Sequence, residues 1–395
     1  MRMRWLLPLL LLAVVLPAVV VAAAGSDDGE DRPARAAATG DRWARLLEQA
    51  RGQTVNWWMY GGDERVNAYV RRYVKPAARR LAVTVRQVPV TDTADAVARV
   101  VAQRRAGRTT GGSVDLIWIN GENFAAGKKA RLWLTNWARQ LPNSRYVNWN
   151  DASISRDFQV PVDGQEAPWS RAAFVFAHDS ARVPDPQRDL DALLAWARQN
   201  PGRLTYPAPP DFTGAAFVRQ VVQAKGEDAA FAYLDELTPL MHRGGRVLPK
   251  SEAELNDLFA NGEVDFAMSY DANFVLSAVR KGQFPESTRP FVLGEGALTN
   301  VSYVTIPKDA AHRAGAQVVA NLLLDPRLQA IKADPEVLGS PTVLDRDRLP
   351  VSARSRFAAI GRSPHLLRDF GASVQELEAG RVAPLEARWK REVLR

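Results

Sequence analysis

The chain has no cysteine among its 395 residues. That excludes disulfides, thiolate metal sites and thiol nucleophiles, and with them a lipid-modified cysteine behind an export signal. Histidine is scarce too: His178, His242, His312 and His365 are the only four, and no two stand at metal-ligand spacing, so an HExxH-type zinc site is absent. There is no GxSxG nucleophile elbow, no Walker A loop and no GxGxxG loop; Gly61-Gly62 and Gly111-Gly112 are isolated pairs. No repeat occurs at solenoid spacing. Carboxylates are plentiful, but nothing marks two of them out as a glycosidase pair. The expectation is a protein that is not an enzyme, with no metal and no cofactor. A formal net charge of +8 does not point to nucleic acid. The basic pairs Arg71-Arg72, Arg79-Arg80 and Arg104-Arg105 fall on helical patterns, where long cationic side chains form a solvated face.

What is present begins at the N-terminus. Arg2 and Arg4 precede an apolar run, Trp5 to Ala24, that ends in three alanines before Gly25. This reads as a secretory signal cleaved near Ala24-Gly25. Left uncleaved, the run is about long enough to span a bilayer, which takes roughly 20 apolar residues; Pro8 and Pro17 interrupt it, and the alanines suit a peptidase. Residues 1–24 are therefore taken as a signal peptide, and 25–50 as a linker with a short helix at Trp43–Gln49. Without a lipid-anchoring cysteine the mature protein is either free or held by an uncleaved Trp5–Ala24 segment.

Regular alternation follows. Thr54–Tyr60 is rich in β-branched and aromatic residues and reads as a strand. Val66, Tyr69, Val70 and Tyr73 stand at helical spacing, with Pro76 set to kink or restart the helix. Leu81–Val90 predicts a second strand and Asp92–Ala106 a second helix. Val114–Ile119 predicts a third strand, apolar enough to be buried on both faces. This is a βαβαβ unit of an α/β fold. Gln159–Trp169 reads as loop, Ala172–Ala177 and Leu204–Tyr206 as strands, and a helix starts near Thr213. Ser251-x-x-Glu254 is a capping box opening another helix, ended by Gly262 before the strand Val264–Met268. Val301–Ile306 reads as a strand and the remainder as almost wholly helical, with Leu385, Trp389 and Val393 forming a stripe.

In open α/β sheets, ligands bind at the carboxyl ends of strands, where helix starts present backbone N–H groups. Four loops stand there. In Tyr60-Gly61-Gly62-Asp63 the glycines allow close backbone approach, and Asp63 is either a helix cap or a ligand contact. Asn120-Gly121-Glu122-Asn123 follows the buried third strand and reads as ligand loop or helix cap. Thr213-Gly214 opens a helix, with Thr213 either cap or ligand contact. Ser269-Tyr270 ends a strand, and Tyr270 either packs or touches solute. Trp169 is the tryptophan best placed to reach a ligand from a loop, and Asn300 lies beside the return strand.

These features resemble the type 2 periplasmic solute-binding proteins of ABC transporters. Leu255–Asp265 is similar to the helix–glycine–strand segment of their second lobe, and Ile306-Pro307-Lys308-Asp309-Ala310 with Val319–Pro326 looks like their stretch after the hinge. Gly61-Gly62-Asp63, Asn120-Gly121-Glu122-Asn123-Phe124 and Ala167-Pro168-Trp169 resemble the YnjB-type subfamily. The resemblance implies two α/β lobes with a cleft between them and a helical C-terminal segment: lobe 1 from 51–172 plus 301–395, lobe 2 from 173–300, crossing near Phe174–Asp179 and Asn300–Ile306. It implies a monomer that captures a small polar solute in the cleft and delivers it to an inner-membrane ABC permease and its ATPase. Asp63 and Glu122 with nearby aromatics suit a cation or an amine-bearing ring; helix N-termini in the same loops suit an anion. A membrane-tethered sensor or assembly module of the same fold stays open, as does an extracytoplasmic hydrolase.

Overall fold

The computed structural model describes residues 31–119, 121–367 and 372–394. The apolar run read as a signal lies outside them, as does Asn120. Among the described residues no helix is long and apolar enough to cross a membrane. The first helix, Asp31–Ala50, is longer than the stretch expected at Trp43–Gln49 and takes in much of the segment read as linker. Ala36 to Ala38 have the highest helix propensity of any residue, and Pro33 falls in the first turn, where its missing N–H costs nothing. From Arg42 onward the chain forms one compact unit, and both main sheets lie within it.

Strand β1 (Thr54–Tyr60) pairs in parallel with β2 (Thr84–Val90), from Thr54 opposite Thr84 to Tyr60 opposite Val90. It also pairs in parallel with β3 (Leu116–Ile119). The crossover from β1 to β2 is a helix Glu64–Tyr69, a π-helical turn Val70–Val74 and a helix Lys75–Arg80 with Pro76 in its first turn. Pro76 thus restarts the helix. Strands β4 (Arg156–Asp157) and β5 (Val160–Pro161) form a small hairpin. Strand β6 (Glu166–Ala173) leads through Phe174 into β7 (Val175–Asp179). The segment expected as one strand, Ala172–Ala177, is thus the junction of two. Strands β8 (Phe266–Ser269) and β9 (Thr288–Phe291) flank β7 in an antiparallel three-stranded sheet.

Strand β10 (Ala297–Thr305) returns antiparallel to β3 and β6, and β11 (Ser373–Gln375) runs parallel beside it. The larger sheet is ordered β11-β10-β3-β1-β2, with β6 also on β10. It is mixed rather than parallel, because β10 and β11 run opposite to β1, β2, β3 and β6. Two readings need correction here. Leu204–Tyr206 pairs with no strand among the described residues, since Pro207, Pro209 and Pro210 follow at once and remove ladder donors. The tail is not wholly helical, since it contains β11.

Buried side chains form two clusters. One surrounds the larger sheet, with Val55, Trp57, Ile117, Trp133 and Val304 at its centre. The other surrounds the smaller sheet, with Phe176, Phe217, Phe259 and Met268. The chain passes between them at Ala173–Phe174, along β10, and again between Ile360 and Leu367, before β11. Leu377, Leu385, Trp389 and Val393 bury in the second cluster, and the Trp389 indole N–H donates to the Tyr206 hydroxyl at 2.9 Å. The C-terminal helix Val382–Glu392 therefore packs away from the larger sheet, with which the sequence reading grouped it.

Candidate functional site

The Gly61-Gly62-Asp63 loop is held by local bonds. The Gly61 N–H donates to the Val90 carbonyl at 3.0 Å. Asp63 Oδ1 accepts from the N–H groups of Arg65 (2.8 Å) and Val66 (3.3 Å), so Asp63 is a helix cap. Tyr60 is exposed, and its ring lies so close over Gly62 that a Cβ there would fall 2.2 Å from the hydroxyl oxygen. Tyr60, Trp118, Trp169 and Trp57 form an edge-to-face series with centroid spacings of 6.4, 5.0 and 6.0 Å. Trp169 was expected in a loop. It lies in β6 and is buried, and the apolar Ala167-Pro168-Trp169 run pairs with β10 across a register shift at Ser302/Tyr303.

The loop after β3 is organised from below. Gly121 has φ +61°, and its N–H donates to Asp157 Oδ2 at 2.8 Å. Glu122 is exposed and Asn123 half-buried. Asp157 is buried, and its Oδ1 has no hydrogen-bond partner. Burial pushes its pKa up to about 8; the Gly121 N–H opposes that rise, and the charges of Glu122 and Glu376 add to it.

At the third loop the cap is Asp211, not Thr213: Asp211 Oδ1 accepts from the N–H groups of Thr213 and Gly214, both at 3.0 Å. The helix is Phe212–Lys225. Thr213 instead donates its hydroxyl to Glu252. Gly214 is required by close approach, since a Cβ there would lie 1.8 Å from the Pro207 carbonyl oxygen. Burial pushes the Glu252 pKa up to about 7, against hydrogen bonds from Thr213 and Ser269 and with help from the charges of Asp271 and Asp211.

Ser269 and Tyr270 end β8, both buried. The Tyr270 hydroxyl donates to Glu376 Oε1 at 2.9 Å, and its ring packs 5.2 Å from Phe212. Arg219, from the helix Phe212–Lys225, holds the same carboxylate in a two-bond fork at 2.8 and 3.1 Å. Asn300 is buried in β10 and lines a small pocket with Asp157, Gln159 and Glu376.

These bonds join loops carried by the two cores. Arg65, at the start of the helix after β1, forms an ion pair with Asp271, just after β8. Asp157 and Glu376 line one pocket, Gly121 bonding the first and Tyr270 the second, and Gln159 Nε2 donates to the Glu376 carbonyl at 2.9 Å. The network has a surplus of carboxylates, with Asp157, Asp211, Glu252, Asp271 and Glu376 set against Arg65 and Arg219. Of the residues expected at a site, Trp169 is core and Asp63 is a cap. Gly121, Thr213, Ser269, Tyr270 and Asn300 belong to the network. Arg65, Asp157, Arg219, Glu252 and Glu376 were not anticipated. Asp211 next to Thr213-Gly214 was the one visible signal, since a Pro-Pro-Asp step favours a helix start; the others meet only through distant pairings. Among the described residues no cluster of His, Cys, Asp and Glu is arranged to hold a metal ion.

Comparison with known proteins agrees with this architecture. Residues 72–346 match the model of the bacterial extracellular solute-binding protein family. The chain is 38% identical to Protein YnjB of Escherichia coli K12 over 365 residues, covering 88% of this chain and 92% of that one. An ABC transporter structure from Clostridium perfringens superposes with a TM-score of 0.61 at 15% identity, over 86% of this chain and 98% of that one. The Trichodesmium protein IdiA (FutA), solved with iron and citrate ligands, superposes with a TM-score of 0.63 at 13% identity, over 87% and 100%. The chain belongs to the bacterial extracellular solute-binding protein family and has the two-lobed α/β fold of periplasmic binding proteins of ABC transporters. Neither the sensor reading nor the hydrolase reading finds support in these matches.

Proposed function

We propose that this chain is the solute-capturing component of an ABC importer. It is exported, with its signal removed near Ala24-Gly25, and works as a monomer in the periplasm. It binds one small polar solute between a lobe built on the larger sheet and a lobe built on the smaller one, then presents the closed form to a membrane permease and its ATPase. Hinge motion is carried by the β6–β7 junction, β10 and residues 360–367. The solute's higher affinity for the closed form drives closure.

The observation that carries the reading is the meeting of loops from both cores, through Arg65 with Asp271 and through the Glu376 cluster. Family membership supports it. The carboxylate surplus favours a cation or an amine-bearing ring over a free anion. The test is a thermal-shift and fluorescence screen of small solutes on the exported protein. A binding solute is expected to raise the melting temperature and to alter tryptophan emission, because Trp118 lies between Tyr60 and Trp169. A panel spanning amines, sugars, carboxylates and phosphates that gives no binder would overturn it.

A further inference from the structure

The carboxyl of Asp157 is 1% exposed, and only one of its oxygens is satisfied. A buried carboxyl oxygen without a partner is costly, whether ionised or protonated, and calls for a reason. Beside it lies a cavity of about 20 Å³, bounded by Arg156, Gln159, Asn300 and Glu376. That is room for one water-sized group. The guanidinium groups nearby are committed elsewhere. Arg156 donates to the Gln159 carbonyl, Arg171 to Asp151 and Ser153, and Arg219 to Glu376. No side chain is left to pair with the free Asp157 oxygen, and the space is the size of a primary ammonium headgroup.

We propose that Asp157 anchors a subsite for the amine of the solute, with Asn300 as a neutral acceptor beside it and Glu122 and Glu376 adding negative potential. The solute is then a small organic cation. This rests on the solute-binding reading above and deepens it to a substrate class.

Binding has a proton consequence. The groups facing Asp157 are the Gly121 N–H and Glu122 from the helix after β3, Glu376 from beyond β11, buried Glu166 from β6 and Tyr303 from β10. Only the Gly121 N–H stabilises the ionised form. In the empty protein Asp157 therefore keeps its proton at neutral pH. An entering ammonium group, itself already protonated, pairs with the carboxylate, and the carboxyl proton leaves to solvent. One bond to hydrogen breaks and an ion pair forms.

The test titrates the full exported chain calorimetrically with putrescine, spermidine, choline and pyridoxamine, and with citrate and fructose 6-phosphate as anionic counterparts. An amine is expected to bind with one site per chain. Its apparent heat at pH 7 should differ between phosphate and Tris buffers, because up to about one proton is released per site. Asp157→Asn should weaken that amine roughly 30-fold or more and abolish the buffer dependence. Glu122→Gln, an exposed and fold-neutral change, should weaken it several-fold, which tests the charge pattern should Asp157→Asn fail to fold. Binding of an anion but of no amine would leave the carrier reading in place and remove the amine assignment. Equal amine affinity in both variants would also remove it, and no binding by any member would remove both.

Discussion

Arg219 and Glu376 offer a quantitative test of how the C-terminal segment is fastened to the second core. Both side chains are 3% exposed, and they meet in a two-bond fork, with the Tyr270 hydroxyl as a third donor to the carboxylate. Arg219 belongs to the helix Phe212–Lys225 on the second core, and Glu376 directly follows β11, between Val374 and Leu377, which pack in that same core. In Glu376→Gln, one acceptor oxygen becomes an amide donor facing guanidinium and phenol donors, and the Arg219 charge stays buried without a partner. Breaking a buried pair on one side costs about 3–5 kcal/mol, whereas replacing both members by apolar groups is often close to neutral. With an unfolding entropy of about 2.1 cal/mol/K per residue and about 350 residues unfolding together, that is a fall of ~4–7 °C in melting temperature. Arg219→Met should behave like Glu376→Gln, and the double variant Arg219→Met/Glu376→Leu should recover most of the loss. Thermal unfolding followed by circular dichroism checks this. Single variants within ~1 °C of the parent, or a double variant that loses the sum of both, would refute the argument.

Other outcomes follow from the same geometry. Gly214→Ala drives a methyl into the Pro207 carbonyl oxygen and should cost at least ~2 kcal/mol, read as a lower denaturation midpoint in urea; an unchanged midpoint would contradict the close approach. Arg65→Ala removes a partly exposed ion pair, so stability should change by less than about 1 kcal/mol, while small-angle scattering of the solute-free protein should show a larger radius of gyration if the pair holds the halves together. Asp157 and Glu252 have raised folded-state pKa values, about 8 and about 7. The folded state thus binds more protons than the unfolded one between the ordinary carboxyl range and those values. Their contribution is full below pH ~4 and is lost as pH rises through 7 to 8. Solute-free melting temperature should accordingly decline from mildly acid to mildly alkaline pH, and Asp157→Asn should flatten the slope; the same slope in both proteins would contradict this.

The larger sheet was legible where strand and helix alternate at short range. Thr54–Tyr60 is a strand to the residue, because five of its seven residues are β-branched or aromatic and Gly61 ends the run. The helix after it begins where Asp63 can cap it. Trp169 was misplaced because Glu166, Pro168, Ser170 and Arg171 mask a strand whose pairing with β10 supplies the burial. Strand β11 is three residues long and draws its register from β10, far away in the chain. The site was half visible for the same reason. Glycines and caps announce loops locally, and four loops were found. The carboxylates and arginines that join them do so over long separations: Arg219 finds Glu376 157 positions later, and Arg65 finds Asp271 206 positions later. The resemblance to solute-binding proteins gave the two-lobed arrangement, but it did not reveal which charges meet.

Hydrogen–deuterium exchange of the exported protein with and without its bound solute tests the central claim most directly. Solute held between the two cores should slow exchange together in residues 61–66, 121–124, 212–215 and 269–274, stretches far apart in sequence. Protection confined to one core, or found outside these loops, would contradict it.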